Sequence, residues 1–170
     1  MFLRPLHPGC QLNGHTAAVE NNEAWAVRYT VVLDGAWTTT RAHVWGSSAT
    51  GDREVQLVSD GAGHWEIDGI TAPRLNGCLD VDLESSACTN TIPVHRLQLS
   101  VGRSADVPAA YVRAADLRVE RLEQHYRRVE DDGDRQRYEY RCPAFEFECQ
   151  LVYDASGLVL DYPGLATRIL

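Results

Sequence analysis

The segment Thr89-Asn90-Thr91-Ile92-Pro93-Val94-His95-Arg96-Leu97 gathers more chemically capable side chains than any other stretch of the chain. Just before it, Leu79-Asp80-Val81-Asp82-Leu83 sets two carboxylates two residues apart. On a strand that spacing puts both on one face. Residues 94–100 read as a further strand opened by Pro93, a position where proline is tolerated. On it Arg96 and His95 point to opposite faces. The corner at 84–93 can fold the two strands together, so that Asp80 or Asp82 meets Arg96 or His95. Two chemistries fit that cluster. A cofactor-independent enzyme (an isomerase, cyclase or hydrolase) would use Asp80 or Asp82 with His95 as its acid–base pair, held by Arg96. Otherwise the guanidinium fork of Arg96 grips a carboxylate. The expectation is a structural clamp rather than a ligand contact.

Two further groups of side chains suit a ligand. Gln124-His125-Tyr126, with Tyr138 and Tyr140, could hydrogen-bond the hydroxyls of a sugar-like molecule. Trp25, Trp37, Trp45 and Trp65 all fall in the first half of the chain, where an aromatic face could stack on a ring or an acyl chain. Familiar catalytic signatures are missing: no G-x-S-x-G, H-E-x-x-H or P-loop, and no G-x-G-x-x-G after a strand. The six His and five Cys have no zinc-ligand spacing, so neither metal nor cofactor is expected. Cys10, Cys78, Cys88, Cys142 and Cys149 are an odd, irregularly spaced set, read as free thiols.

Charge argues against a nucleic-acid partner. All 16 basic residues are Arg, against 24 Asp plus Glu, a net charge of −8. The Arg-rich stretch 101–141 holds nine Arg and also nine acids, so no basic face emerges of the kind phosphate binding needs. No run approaches the ~20 apolar residues of a membrane span. The opening MFLRPLHPGC lacks the apolar segment of a secretory leader. A reducing, cytoplasmic location is the expectation.

The elements that must position these side chains run in steps of two. Trp25, Val27, Tyr29, Val31 and Leu33 alternate with Ala26, Arg28, Thr30 and Val32, a strand with one apolar face. Asp34-Gly35 turns it into a second strand from Trp37 to Trp45. Strands follow at Arg53–Ser59, His64–Ile67, 79–83, 94–100, Ala109–Val112 and Leu117–Val129. Tyr138–Arg141, Phe145–Tyr153 and Leu158–Tyr162 complete the series. Ten or eleven strands, with no repeat and no linker, predict one all-β domain. A sheet that wide must curl to hide its edges, and a roll of about ten strands leaves room for a ligand.

Several pieces together resemble a known family. T-N-T-I-P-V-H-R-L at 89–97 follows G-C-L-D-V-D-L at 77–83, and D-Y-P-G stands at 161–164. With Trp25–Asp34, Trp37-Thr38, Asp60–Trp65, Gln124-x-Tyr126 and 152–159, they match in order over residues 14–166. They resemble a glycolipid-binding family, formerly a domain of unknown function. The family pattern has Arg where this chain has His95; Thr89, Asn90, Pro93 and Arg96 match. The resemblance implies a single-domain spiral β-roll, a curled antiparallel sheet around an apolar cavity, binding a glycolipid or other lipid-like metabolite. Polar contacts would come from Thr89, Asn90, Arg96, Gln124 and Tyr126, and apolar wall from Trp25, Tyr29 and Trp65.

Overall fold

In a computed structural model, which describes residues 1–20 and 22–169, the two-residue alternation becomes three sheets. The first is a seven-stranded antiparallel meander in sequence order. Its strands are β1 (Phe2–Pro5), β2 (Cys10–Glu20), β3 (Glu23–Leu33), β4 (Thr39–Ser48), β5 (Gly51–Ser59), β6 (Trp65–Ile67) and β7 (Ile70–Thr71). After it come β8 (Asp80–Leu83), one helix α1 (Thr91–Leu97), β9 (Ser104–Asp106), β10 (Ala109–Val112) and β11 (Val119–Leu122). The chain ends with β12 (His125–Asp132), β13 (Arg135–Cys142), β14 (Phe147–Tyr153), β15 (Val159–Tyr162) and β16 (Ala166–Thr167). These last five strands and β9 make a six-stranded antiparallel sheet ordered β16-β15-β14-β13-β12-β9. Among the described residues no sheet closes into a barrel. The expected single all-β curled architecture holds, built from three sheets.

The middle sheet decides where everything else sits. It has three strands, β11-β10-β8, and β8 runs parallel to β10. Every residue of β8 and of β10 is buried, so each strand is covered on both faces. One face, with Val81, Leu83, Ala110, Val112 and Val119, joins Leu12, Val27, Tyr29, Val31 and Leu57 of the large sheet in a first core. On the other, Tyr111 and Leu122 join Tyr126, Tyr138, Leu151 and Tyr153 in a second. Alternation along β8 therefore sends Val81 and Leu83 to one core and Asp80 and Asp82 to the other. The middle sheet and α1 each contribute buried side chains to both cores.

Two segments differ from the sequence expectation. Residues 94–100 are not a strand: Thr91–Leu97 is a two-turn helix. Pro93 is the third residue of α1, in the first turn, where backbone N–H groups have no intrahelical partner and a missing one costs nothing. Seven residues are too few to display a 3.6-residue stripe, and Ile92 and Val94 mimic strand composition. The single long strand expected over Leu117–Val129 is also broken. It is β11 and β12, separated at Glu123-Gln124.

Close packing in the first core depends on a glycine. Tyr29 pairs with Gly14 across β2 and β3, and a Cβ on Gly14 would stand 2.2 Å from the Tyr29 ring. The ring is buried there, and its hydroxyl lies 2.8 Å from Ser86 Oγ. Gly14→Ala must displace a ring anchored at both ends. It should cost about 1–3 kcal/mol, as overpacked cores do, read as a lowered midpoint in thermal unfolding. An unchanged midpoint would mean that the ring is free to move aside.

Candidate functional site

The polar face of β8 lies buried against the second core, and its two carboxyls have different partners. Asp80 takes a two-pronged grip from Arg96, with Nε donating to Oδ1 at 2.9 Å and Nη2 to Oδ2 at 2.6 Å. The side chains are 2% and 14% exposed respectively. Burial pushes the Asp80 carboxyl above its ordinary range, and the guanidinium pulls it back. The expected clamp exists, made by a helix rather than by a neighbouring strand. Arg96 reaches Asp80 from the second turn of α1.

Asp82 has no such cation. Thr89 Oγ1 lies 2.7 Å from its Oδ1, and Gln124 Nε2 donates to its Oδ2 at 2.6 Å. Among the described residues Asp82 forms no ion pair. Burial raises its pKa, aided by the Asp80 charge and opposed by hydrogen bonds from Thr89, Gln124 and the Leu83 backbone N–H. One residue beyond Thr89, Asn90 accepts a 2.6 Å hydrogen bond from the Tyr126 hydroxyl at Oδ1 and one from Tyr153 at its carbonyl, 3.2 Å. Thr89-Asn90 thus ties the charged strand to the inner face of the last sheet.

That face is aromatic. Tyr126, Tyr140 and Tyr162 meet edge-on, with centroids 5.1 and 5.7 Å apart, and Phe147 closes the group against Tyr140 and Tyr162. Burial raises the pKa of Tyr111, Tyr126, Tyr140, Tyr153 and Tyr162, and the charge of Asp82 adds to the rise in each. Tyr111 and Tyr162 keep 6% and 7% of their surface in solvent. At the rim the exposed Phe145 leans on Tyr111, and Arg113 lies over both rings. Chemically this is a carboxyl and an amide under an arc of phenols, a floor that can exchange hydrogen bonds beneath rings that offer apolar and π faces.

His95 stands elsewhere. Its imidazole stacks on Trp37 at 3.7 Å, and a Cβ on Gly157 would stand 2.8 Å from Nε2. Burial lowers its pKa, against the Ser156 backbone and Asp154. His95 therefore wedges α1 between the β3–β4 and β14–β15 turns, and it is not brought to Asp80 or Asp82.

The proposed ligand contacts divide in the same way. Thr89, Asn90, Gln124 and Tyr126 form one connected network around Asp82. Tyr29 and Trp65 belong to the first core, on the other side of the middle sheet, and the Trp65 indole donates to Cys78 O at 2.8 Å. Trp25 is half-buried at the margin of that core and donates to Glu20. Sequence reading missed Tyr111 and Tyr153. Tyr111 reaches Asp82 only through the parallel β8–β10 register, which nothing local encodes. A signal for Tyr153 was present, since it shares the inward phase of β14 with Leu151. The five cysteines are free, and among the described residues no three His, Cys, Asp or Glu side chains group as a metal site.

Fold and site together define an all-β roll with a buried polar centre walled by tyrosines. The chain belongs to the family described as "Putative glycolipid-binding", whose profile matches residues 1–168. It is similar throughout to the crystal structure of a DUF1089 family protein from Pseudomonas aeruginosa. The TM-score is 0.85 at 32% identity, over 99% of this chain and 90% of that one. No curated protein matches the chain. Among the described residues no helix is long and apolar enough to cross a membrane.

Two outcomes follow from the two acids. Arg96→Ala leaves Asp80 buried and unpaired, and should cost about 3–5 kcal/mol in urea unfolding. A loss below about 1 kcal/mol, the worth of an exposed pair, would contradict the clamp. Asp82 has a folded pKa above its unfolded value of about 3.9, so the native state binds more protons across that window. Its contribution to stability is then lost as pH rises. Asp82→Asn removes that loss, and a turned Gln124 amide can serve the new side chain. The melting temperature of the variant relative to the parent should rise from about pH 4 to pH 7. A difference independent of pH would show that Asp82 titrates normally.

Proposed function

We propose that this protein binds a hydroxyl-bearing amphiphile of the glycolipid class where the Thr89-Asn90 corner meets the tyrosine face of the last sheet. Thr89, Asn90, Gln124 and Tyr126 supply polar contacts, and Tyr111, Tyr140, Phe147 and Tyr162 supply ring faces. The observation that carries this reading is the buried Asp82–Asn90 floor, which among the described residues pairs with no cation and lies under aromatic rings. Sugar rings pair polar edges with apolar faces, and such a floor offers both. The family's description is in keeping with it. A cytoplasmic location suits the five unpaired thiols.

An acid–base enzyme built on Asp80, Asp82, His95 and Arg96 has less support. Arg96 is engaged by Asp80, and the imidazole of His95 is packed on Trp37. Native mass spectrometry of the protein purified from its own host tests the binding reading. A co-purified amphiphile, lost in an Asn90→Ala, Tyr126→Phe double variant that still folds, is the expected result. A ligand retained in full by that variant would move the site elsewhere.

A further inference from the structure

The hydrogen-bond geometry around Asp82 counts protons. Thr89 Oγ1 accepts from the Leu83 backbone N–H at 3.2 Å, and lies 2.8 Å from Ser86 O and 2.7 Å from Asp82 Oδ1. A hydroxyl has one proton and cannot donate to both oxygens. With a proton on Asp82 every contact is satisfied. Asp82 donates to Thr89, Thr89 donates to Ser86 O, and the two Thr89 lone pairs take Asp82 and the Leu83 N–H. Gln124 Nε2 still donates to Oδ2. Without that proton, Asp82 Oδ1 and Ser86 O compete for the Thr89 hydroxyl hydrogen. Ser86 O keeps the Thr89 backbone N–H, and the carboxylate keeps the Gln124 amide and the Leu83 N–H, but among the described residues the buried negative charge has no counter-ion.

Among the described residues the neighbouring cations are held by other acids: Arg96 by Asp80, and Arg113, at the rim over Tyr111, by Glu84 and Glu120. The titratable groups facing Asp82 are Asp80 on its own strand, Tyr111 from β10, Tyr126 from β12, Tyr140 and Cys142 from β13, Tyr153 from β14 and Tyr162 from β15. Two of the nitrogens of the nearby Arg96 are bonded to Asp80. The rings of Tyr126, Tyr140 and Tyr162 are the kind of surface on which an ammonium group rests, and the net charge of −8 favours a cation over an anion.

We propose that Asp82 anchors an ammonium-bearing amphiphile, such as one with an amino-sugar or other primary-amine head, and that it releases its proton to solvent when the cation enters. This rests on the binding site proposed above and narrows its ligand class. The exchange balances: one proton leaves Oδ1 as one positive charge arrives, so the buried site stays neutral. Thr89 then turns its hydroxyl proton to the carboxylate. Entry requires the rings at Tyr111 and Tyr162, 6% and 7% exposed beside the exposed Phe145, to part and admit the cation past the Arg113 guanidinium, whose charge Glu84 and Glu120 offset.

Calorimetric titration of the full chain with octylamine and with octyl glucoside separates the two ideas. Octylamine is an ammonium ion throughout the range from pH 5 to 8, and octyl glucoside is uncharged. Octylammonium should bind at least tenfold more tightly than octyl glucoside. It should release close to one proton, seen as a heat that depends on the buffer's ionisation enthalpy. Binding should tighten as pH rises, by up to about tenfold per unit. Asp82→Asn, checked for folding by its melting curve, should lose at least tenfold in octylammonium affinity. Binding of octyl glucoside alone would overturn the ammonium assignment and leave the amphiphile site standing. Octylammonium binding without proton release would overturn the exchange. Failure of both probes would overturn the site itself.

Discussion

A strand with two carboxylates can run through the middle of this molecule because Arg96 meets Asp80. β8 is covered on both faces, and an isolated charge there would cost several kcal/mol. The bidentate contact at 2.9 and 2.6 Å removes that penalty for Asp80. It also fixes α1 against the middle sheet. Once α1 is held, Ile92 packs into the first core and Val94 into the second. Thr89-Asn90, at its start, is brought to Asp82 and to the tyrosines. The position of the candidate site is thus a consequence of one ion pair.

The other acid breaks the symmetry. Asp82 shares the face, the burial and the strand of Asp80, yet it is served by a hydroxyl and an amide rather than a guanidinium. A protein that needed only to bury β8 could place an apolar residue here. Replacing buried charge by well-packed apolar groups is often neutral or stabilising. His95 has the opposite character. Stacked on Trp37 and pressed against Gly157, it joins two hairpin turns and takes no part in the chemistry around Asp82.

Much of the fold was legible because strands repeat every two residues. Ala109–Val112 coincides with its element, and Trp25–Leu33 lies within β3. The Asp80/Asp82 face was legible from side-chain direction, and the Arg96 clamp from charge and nearness in sequence, though the strand assumed to carry Arg96 is a helix. What failed was local where the chain is short and non-local where register matters. α1 is too brief for its period to show, and its Ile and Val residues resemble a strand. β2 was missed because Gly14 and His15 interrupt its apolar alternation, and only the ring of Tyr29 explains the glycine. The division of aromatic residues between two cores depends on the parallel β8–β10 pairing, formed by strands far apart in sequence. That division separates Tyr29 and Trp65 from Tyr126, a distinction that composition does not contain.

If the ion pair organises the structure, removing both partners must hurt less than removing either. The direct measurement is a double-mutant cycle on unfolding free energy in urea, with Asp80→Leu, Arg96→Met and the two together. Each single variant leaves one buried charge unpaired, whereas the double variant leaves none. The double variant should be more stable than either single one, with a coupling energy above about 1 kcal/mol. Losses that simply add would show that Asp80 and Arg96 act independently, and that the pair does not hold the centre of the fold.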